Sequence, residues 1–281
     1  MQNILLSSAP LRRLAWRTGR WLYALARGEV LNDMATNGEA YVQSIVIANT
    51  KLTADPFTVF DVGANLGEWT RLFLAQLPEI RLATTRLFVL EPVPSTYARL
   101  LTNLHGSAKS SVARTFQVAA SDAAGSAEMA IFGEEGGTNS LEFDGTASAD
   151  VIRVEKIDLA TFCETHDVQH IHLLKCDTEG HDSLVLKGAL DLLRSGRIDI
   201  AQFEYNHRWI YARAFLRDVF DLVADLPYRV ARVCPHHIEV FESWHPEMER
   251  FFEGNYLLVR EPALQWFDAH RARFDISNTY G

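Results

Sequence analysis

The sequence predicts a doubly wound α/β fold. Three observations carry the prediction. Short apolar runs rich in Val, Ile, Leu and Phe recur at 57–62, 86–91, 113–119, 171–176, 198–203, 228–233 and 255–259, with segments of helical spacing between most of them. The first run ends in a glycine-bearing turn, Asp61-Val62-Gly63-Ala64-Asn65-Leu66-Gly67. The second ends in an acid, Glu91-Pro92. In such a sheet a nucleoside lies across the carboxyl ends of the strands, and an acid ending strand 2 accepts hydrogen bonds from its ribose hydroxyls.

Each element follows from local chemistry. Asn37-Gly38-Glu39 opens a helical run through Tyr41, Ile45, Val46 and Ala48. Residues 68–77 place Trp69, Leu72, Phe73 and Leu77 on one side of a helix that Pro78 ends. Pro94 suits the first turn of a helix over 94–104. Residues 126–155 hold short alternating runs at 127–132, 140–143 and 151–154, separated by Gly133, Gly136, Gly137 and Gly145, as expected of a β-hairpin insertion. Further helices are expected at 158–165, 182–193 and about 211–225. The expected division is a helical extension over 1–52, a main domain over 53–262 and a tail over 263–281.

What the turn lacks selects the nucleoside. In G-x-G-x-x-G the second glycine lets the backbone approach a pyrophosphate, and Asn65 stands at that place here. S-adenosylmethionine (SAM) has no pyrophosphate, and an acid such as Asp61 favours its ammonium, so SAM fits better than NAD. Gly63, Asn65, Gly67, Glu91 and Pro92 are therefore candidate cofactor residues. Ser121-Asp122 ends the third run, which makes Asp122 a candidate adenine contact, beside the alternative that it caps a turn before Gly125.

Composition narrows the partners. A formal net charge of -9 argues against general nucleic-acid binding, and no apolar run approaches the ~18 residues of a membrane span. Residues 1–28 carry Arg12, Arg13, Arg17, Arg20 and Arg27 with no acid, so this segment is +5 and the rest of the -9 chain is -14. Paired with Leu11, Leu14, Trp16, Trp21, Leu22, Tyr23 and Leu25, it suits either peripheral contact with an anionic membrane or a helix docked on the domain. Three scattered cysteines, Cys163, Cys176 and Cys234, give no disulfide framework or zinc knuckle and point to a reducing cytoplasm.

The ordered motifs resemble the FkbM family of class I SAM-dependent methyltransferases over roughly residues 37–260. They are Asn37-Gly38-Glu39, Phe60 to Gly67, Glu91-Pro92, Val118-Ala119-Ala120-Ser121-Asp122, Leu174-Lys175-Cys176-Asp177-Thr178-Glu179-Gly180 and Gln202-Phe203-Glu204-Tyr205-Asn206. The resemblance implies a Rossmann-like, mostly parallel seven-stranded sheet with helices on both faces. It also implies O-methylation of a hydroxyl on a sugar, a glycoconjugate or a secondary metabolite. Where the family often has Ala-Glu after the Glu-Gly pair, this chain has His181-Asp182.

Methyl transfer to an alcohol needs position, desolvation and a proton acceptor within ~3 Å of the hydroxyl. Asp177, Glu204 and His207 are the candidate catalytic residues, with Asp177 first because it follows the fourth strand. Glu179, His181, Tyr205 and Trp209 are candidate acceptor contacts, the last two as a sugar platform. Asp177, Glu179 and Glu204 could also offer oxygens to a divalent ion. His170-x-His172 lacks an acidic third ligand nearby in sequence and reads as packing, and His236-His237 reads as a turn.

Overall fold

A computed structural model of the chain describes residues 8–30, 33–53, 55–106, 109–131, 140–142 and 150–281. The first elements are helices α1 (Ala9–Ala26) and α2 (Glu39–Asn49). Then come β1 (Phe57–Val62), α3 (Glu68–Gln76), β2 (Thr85–Leu90), α4 (Pro94–His105) and β3 (Ala113–Phe116). A short excursion follows through β4 (Ala119–Ser121), β5 (Gly125–Ile131) and β6 (Asp150–Asp158). The chain returns through α5 (Leu159–Thr165), β7 (Ile171–Cys176), α6 (Asp182–Gly188), α7 (Leu190–Arg194) and β8 (Ile198–Tyr205). It closes with α8 (Leu216–Val223), β9 (Tyr228–Val233), β10 (Ile238–Phe241), β11 (Gly254–Arg260) and β12 (Ala269–Ala272).

The main sheet runs β12-β10-β9-β11-β8-β7-β1-β2-β3. Strands β3, β2, β1, β7 and β8 are mutually parallel, and β11 enters antiparallel between β8 and β9. The expected seven strands are all there, but the sheet has nine. β10 and β12 extend the edge beyond β9, and β12 comes from the segment read as a tail. β10 is short, Ile-Glu-Val-Phe, and β12 is Ala-His-Arg-Ala, so only pairing across the sheet makes β12 a strand.

Both faces of the sheet are covered, which is why its central strands read as unbroken apolar runs. Side chains alternate along them. Phe60, Val62, Phe88 and Leu90 pack with Phe162, Val185 and Leu192 under α5 to α7. Phe57, Val59, Leu87 and Val89 pack with Val42, Trp69, Phe73 and Leu100 under α2 to α4. This alternation puts Asp61 on the α3 side.

Four other expectations are corrected by the structure. The third apolar run breaks after Phe116, with β3 staying in the main sheet and β4 joining β6. The expected hairpin is thereby a three-stranded sheet, β4-β6-β5, in which β5 and β6 are antiparallel and Ser140 bridges Ala130. Phe132, Gly133, Gly136, Gly137, Phe143 and Gly145 fall outside the described residues. The helix at 182–193 divides at Ala189, and the one near 211–225 is confined to Leu216–Val223. Cys163, Cys176 and Cys234 are buried free thiols.

Candidate active site

The carboxyl ends of β1, β2 and β7 converge on one cavity. Its wall includes Gly63, Asn65, Glu91, Pro92, Asp177, Thr178, Glu179 and His181, with Val118, Ala119, Met129 and Leu141 contributing an apolar side. Gly63 and Asn65 have φ of 76° and 49°, and Gly67, at 83°, caps the N-terminus of α3. All lie in the left-handed region that favours glycine and tolerates asparagine. The Asn65 side-chain oxygen is buried with no hydrogen-bond partner among the described residues, so the wall offers an unsatisfied acceptor.

Glu91 holds the first turn in place. Its Oε2 accepts the Asn65 backbone N–H at 2.9 Å and its Oε1 accepts the Val93 N–H at 3.0 Å. Burial outweighs both bonds and pushes its carboxyl up to about 7. Each oxygen keeps a further lone pair for a hydroxyl donor.

Asp61 does not reach the cavity wall. It is fully buried, accepts a 2.6 Å hydrogen bond from the Thr70 hydroxyl of α3 and faces the Lys175 ammonium at 3.3 Å. The same ammonium lies 3.3 Å from Asp177 Oδ2. Burial alone would push Lys175 down, but Asp61, Asp177 and Glu39 outweigh it and hold it charged, above the usual lysine range. The charge expected of Asp61 at a ligand ammonium is thus already spent on Lys175. Its physical reason is the alternation of β1, which aims Asp61 at α3.

Beyond β7, Asp177, Glu179 and Glu204 bring carboxylate oxygens within 4.8 Å of one another. Glu179 sits at φ 56° and pairs with Arg208, and Asn206 donates to Glu204 at 2.6 Å. Burial, then the Asp177 charge, pushes Glu179 up to about 8. The same two causes, with Glu179 and Asp182 added, drive Glu204 well above the usual carboxylate range. Asp182, fully buried, is pushed up to about 6 by burial and Asp177 while it accepts from the Thr178 hydroxyl at 3.1 Å.

His181 ties two parts of the wall together. Its Nδ1 pairs with Glu142 Oε1 at 2.8 Å and its Nε2 with Ser121 Oγ at 3.0 Å. Ser121 is therefore buried beside the wall, whereas Asp122 is exposed and paired with Lys156 at 3.3 Å, off the cavity. Three other candidates also lie away from it. His207 is exposed on the turn that Asn206 caps. Tyr205 and Trp209 are buried in the core, where Tyr205 hydrogen-bonds Glu249 and Trp209 donates to the Glu204 carbonyl at 2.9 Å. An aromatic with no exposed face cannot serve as a sugar platform.

Lys175, Arg208, Asn206 and Glu39 were not singled out by their chemistry in the sequence. Lys175 alone left a signal, as a lysine inside a buried strand. His170 does have an acid: Asp199 on the adjacent β8 lies 2.8 Å from His170 Nε2, although the sequence shows none nearby. Arg260 donates to the other Asp199 oxygen, and His172 Nδ1 accepts the Thr58 N–H at 3.1 Å. These bonds tie together the amino-terminal ends of β1, β7 and β8, opposite the cavity.

A family model, the methyltransferase FkbM domain, matches residues 61–250. The chain belongs to this family. The FkbM match opens on Asp61 and spans every residue that lines the cavity. Among curated proteins, no sequence matches. Among solved structures, the chain is similar to a methyltransferase FkbM from Methylobacillus flagellatus KT at 13% identity and a TM-score of 0.44, over 75% of this chain and 45% of that one. It thus spans less than half the length of that relative. A putative rRNA-methylase from Clostridium thermocellum gives 10% identity and 0.44, over 80% and 96% of the two chains. A precorrin-6y C5,15-methyltransferase from Geobacter metallireducens GS-15 gives 9% and 0.39, over 78% and 88%.

Proposed function

We propose that this FkbM chain is a SAM-dependent O-methyltransferase acting on a hydroxyl of a sugar, glycan or glycoconjugate. The observation that carries the reading is the meeting of Asn65 and Glu91, from the first two strand ends, with Asp177 and Glu179 beyond β7 on a single cavity wall. Glu91 would accept from the ribose hydroxyls, and the unpaired Asn65 oxygen would accept from the amino group of the methionine half. When bound, SAM supplies a methyl group on a sulfonium, an electrophile that needs no covalent enzyme intermediate.

The chain's own groups orient the acceptor and take its proton. Asp177 is 29% exposed at the cavity while Lys175 fixes its Oδ2, so Oδ1 is the proton acceptor for the hydroxyl that becomes the ether. Thr178 and Glu179 flank that position with oxygens that can bind hydroxyls, which supports a polyhydroxylated acceptor, while His181 spends both ring nitrogens on Glu142 and Ser121 and shapes the wall. A divalent ion held by Asp177, Glu179 and Glu204 would acidify the same hydroxyl. Three hard oxygen donors suit Mg²⁺.

Calorimetry with SAM and with NAD tests the donor, and NAD binding without SAM binding would sink the reading. Labelled SAM incubated with fractionated glycans and small metabolites identifies the acceptor. Uptake confined to the small-molecule fraction would replace the sugar by a secondary metabolite. Asp177→Asn should lower methyl transfer ~10²-fold or more, and a near-normal rate removes Asp177 as base. Loss of activity on EDTA dialysis and its return with Mg²⁺ supports the ion, whereas unchanged activity removes it.

A further inference from the structure

A helix on a globular surface turns its apolar stripe to the core. α1 does the reverse. At ~100° per residue, Leu11, Leu14, Thr18, Trp21, Leu22 and Leu25 fall on one side of the helix. Leu14, Trp21 and Leu25 are 62%, 63% and 63% exposed. The opposite side docks on the domain: the Arg20 guanidinium lies 5.4 Å from the Phe252 ring, and Tyr23 packs on Phe252 at 6.1 Å with the Arg250 guanidinium 5.0 Å over the Tyr23 ring. Arg27 anchors the helix end, buried against Phe274 and Tyr280.

We infer that α1 is an interfacial helix that seats the enzyme on an anionic phospholipid surface. Arg12 and Arg17 border the apolar stripe on its two sides and Arg13 lies behind Arg17, all exposed, in a segment without a single acid. That is the charge pattern of a helix lying in the headgroup plane with its leucines and tryptophan buried below. The rest of the chain is acidic and is repelled by such a surface, so the +5 segment sets the orientation as well as the attraction. No helix among the described residues is long and apolar enough to cross a membrane, so the contact is peripheral.

The seat adjoins the active site. Phe252 packs on α1, and its neighbour Phe251 stacks on Tyr205, the residue that follows Glu204 at the end of β8. A lipid-borne acceptor would therefore meet the acid cluster with little travel. The membrane inference itself does not depend on the methyl-transfer reading.

Co-sedimentation of the full chain with phosphatidylcholine vesicles, with and without phosphatidylglycerol, tests it. Binding is expected only with the anionic lipid and should weaken with salt. Leu14→Glu with Trp21→Glu should abolish it while thermal unfolding is unchanged, since both side chains are in solvent. Arg13→Ala and Arg17→Ala should each weaken it by about fivefold. Equal sedimentation of the Leu14→Glu, Trp21→Glu variant, or no binding to anionic vesicles, overturns the inference. So does a wild-type dimer in light scattering that this variant turns into a monomer, which would make a second copy the occupant.

Discussion

Gly63 and Asp177 meet backbone to backbone: a Cβ on Gly63 would stand 1.9 Å from the Asp177 carbonyl oxygen. The contact is the seam between β1 and β7, secured by the Asp177 N–H donating to the Val62 carbonyl at 3.0 Å. It sets the turn that Gly63 opens directly against the segment that carries Asp177 and Glu179. The obstacle is a backbone atom, so no rotamer change can relieve it.

Gly63→Ala should therefore part the two strand ends. The positive φ alone costs about 1–3 kcal/mol, and the clash adds to it. Urea unfolding should show a loss at least that large, and calorimetry a loss of SAM binding. Wild-type values in both would mean that the seam yields freely.

Lys175 neutralises two acids at once. Lys175→Met leaves Asp61 buried without its counter-charge, at a cost of about 3–5 kcal/mol in unfolding free energy. Adding Asp61→Asn should recover part of the loss, because the orphaned charge is then gone. A double variant no more stable than Lys175→Met would show that the ammonium mattered for Asp177 alone.

If Glu91 accepts from the ribose hydroxyls as proposed, SAM affinity should depend on pH. The Glu91 carboxyl ionises in the folded chain near pH 7, and ribose hydroxyls bond more strongly to the ionised form. Affinity measured by calorimetry should rise by about fivefold from pH 6 to pH 8. Glu91→Gln should bind more weakly with a flat profile, and a wild-type slope in that variant would assign the titration elsewhere.

Glu179 links stability to pH in the other direction. Its folded carboxyl, at about 8, lies above its unfolded value of 4.5, so the fold binds the extra proton between those limits. The stabilisation is complete below pH 4.5 and is lost as pH rises through about 8. Asp182 adds a smaller window between 3.8 and about 6. Glu179→Gln should flatten the fall in stability between pH 6 and 8, measured by urea unfolding. An unchanged slope would place the titrating group elsewhere.

The legible parts of the fold were those with a period in the sequence. The two-sided burial of β1, β2, β7 and β8 makes apolar runs, and Gly63, Asn65 and Glu91 announce their turn by residue type alone. Asp61 and Tyr205 were misplaced for a shared reason: on a strand buried on both faces, sequence gives the position along the strand but not the face that meets the ligand. β12 was illegible because its pairing with β10 creates it, and the split of α6 from α7 because it falls beside Gly188, which packs against the Ser121 backbone from a distant part of the chain.

The sequence by itself determined the sheet's central order of elements, the glycine-bearing turn at 63–67 and the charge asymmetry of the first 28 residues, because composition and spacing encode each of these locally. Tertiary structure alone decided that Lys175 consumes the charge of Asp61, that Asp199 answers His170 and that α1 docks by its aromatic and Arg20 side. Those outcomes depend on which side chains a neighbouring strand or loop brings within a few ångströms. That distance is a property of the packed chain, and no local pattern carries it.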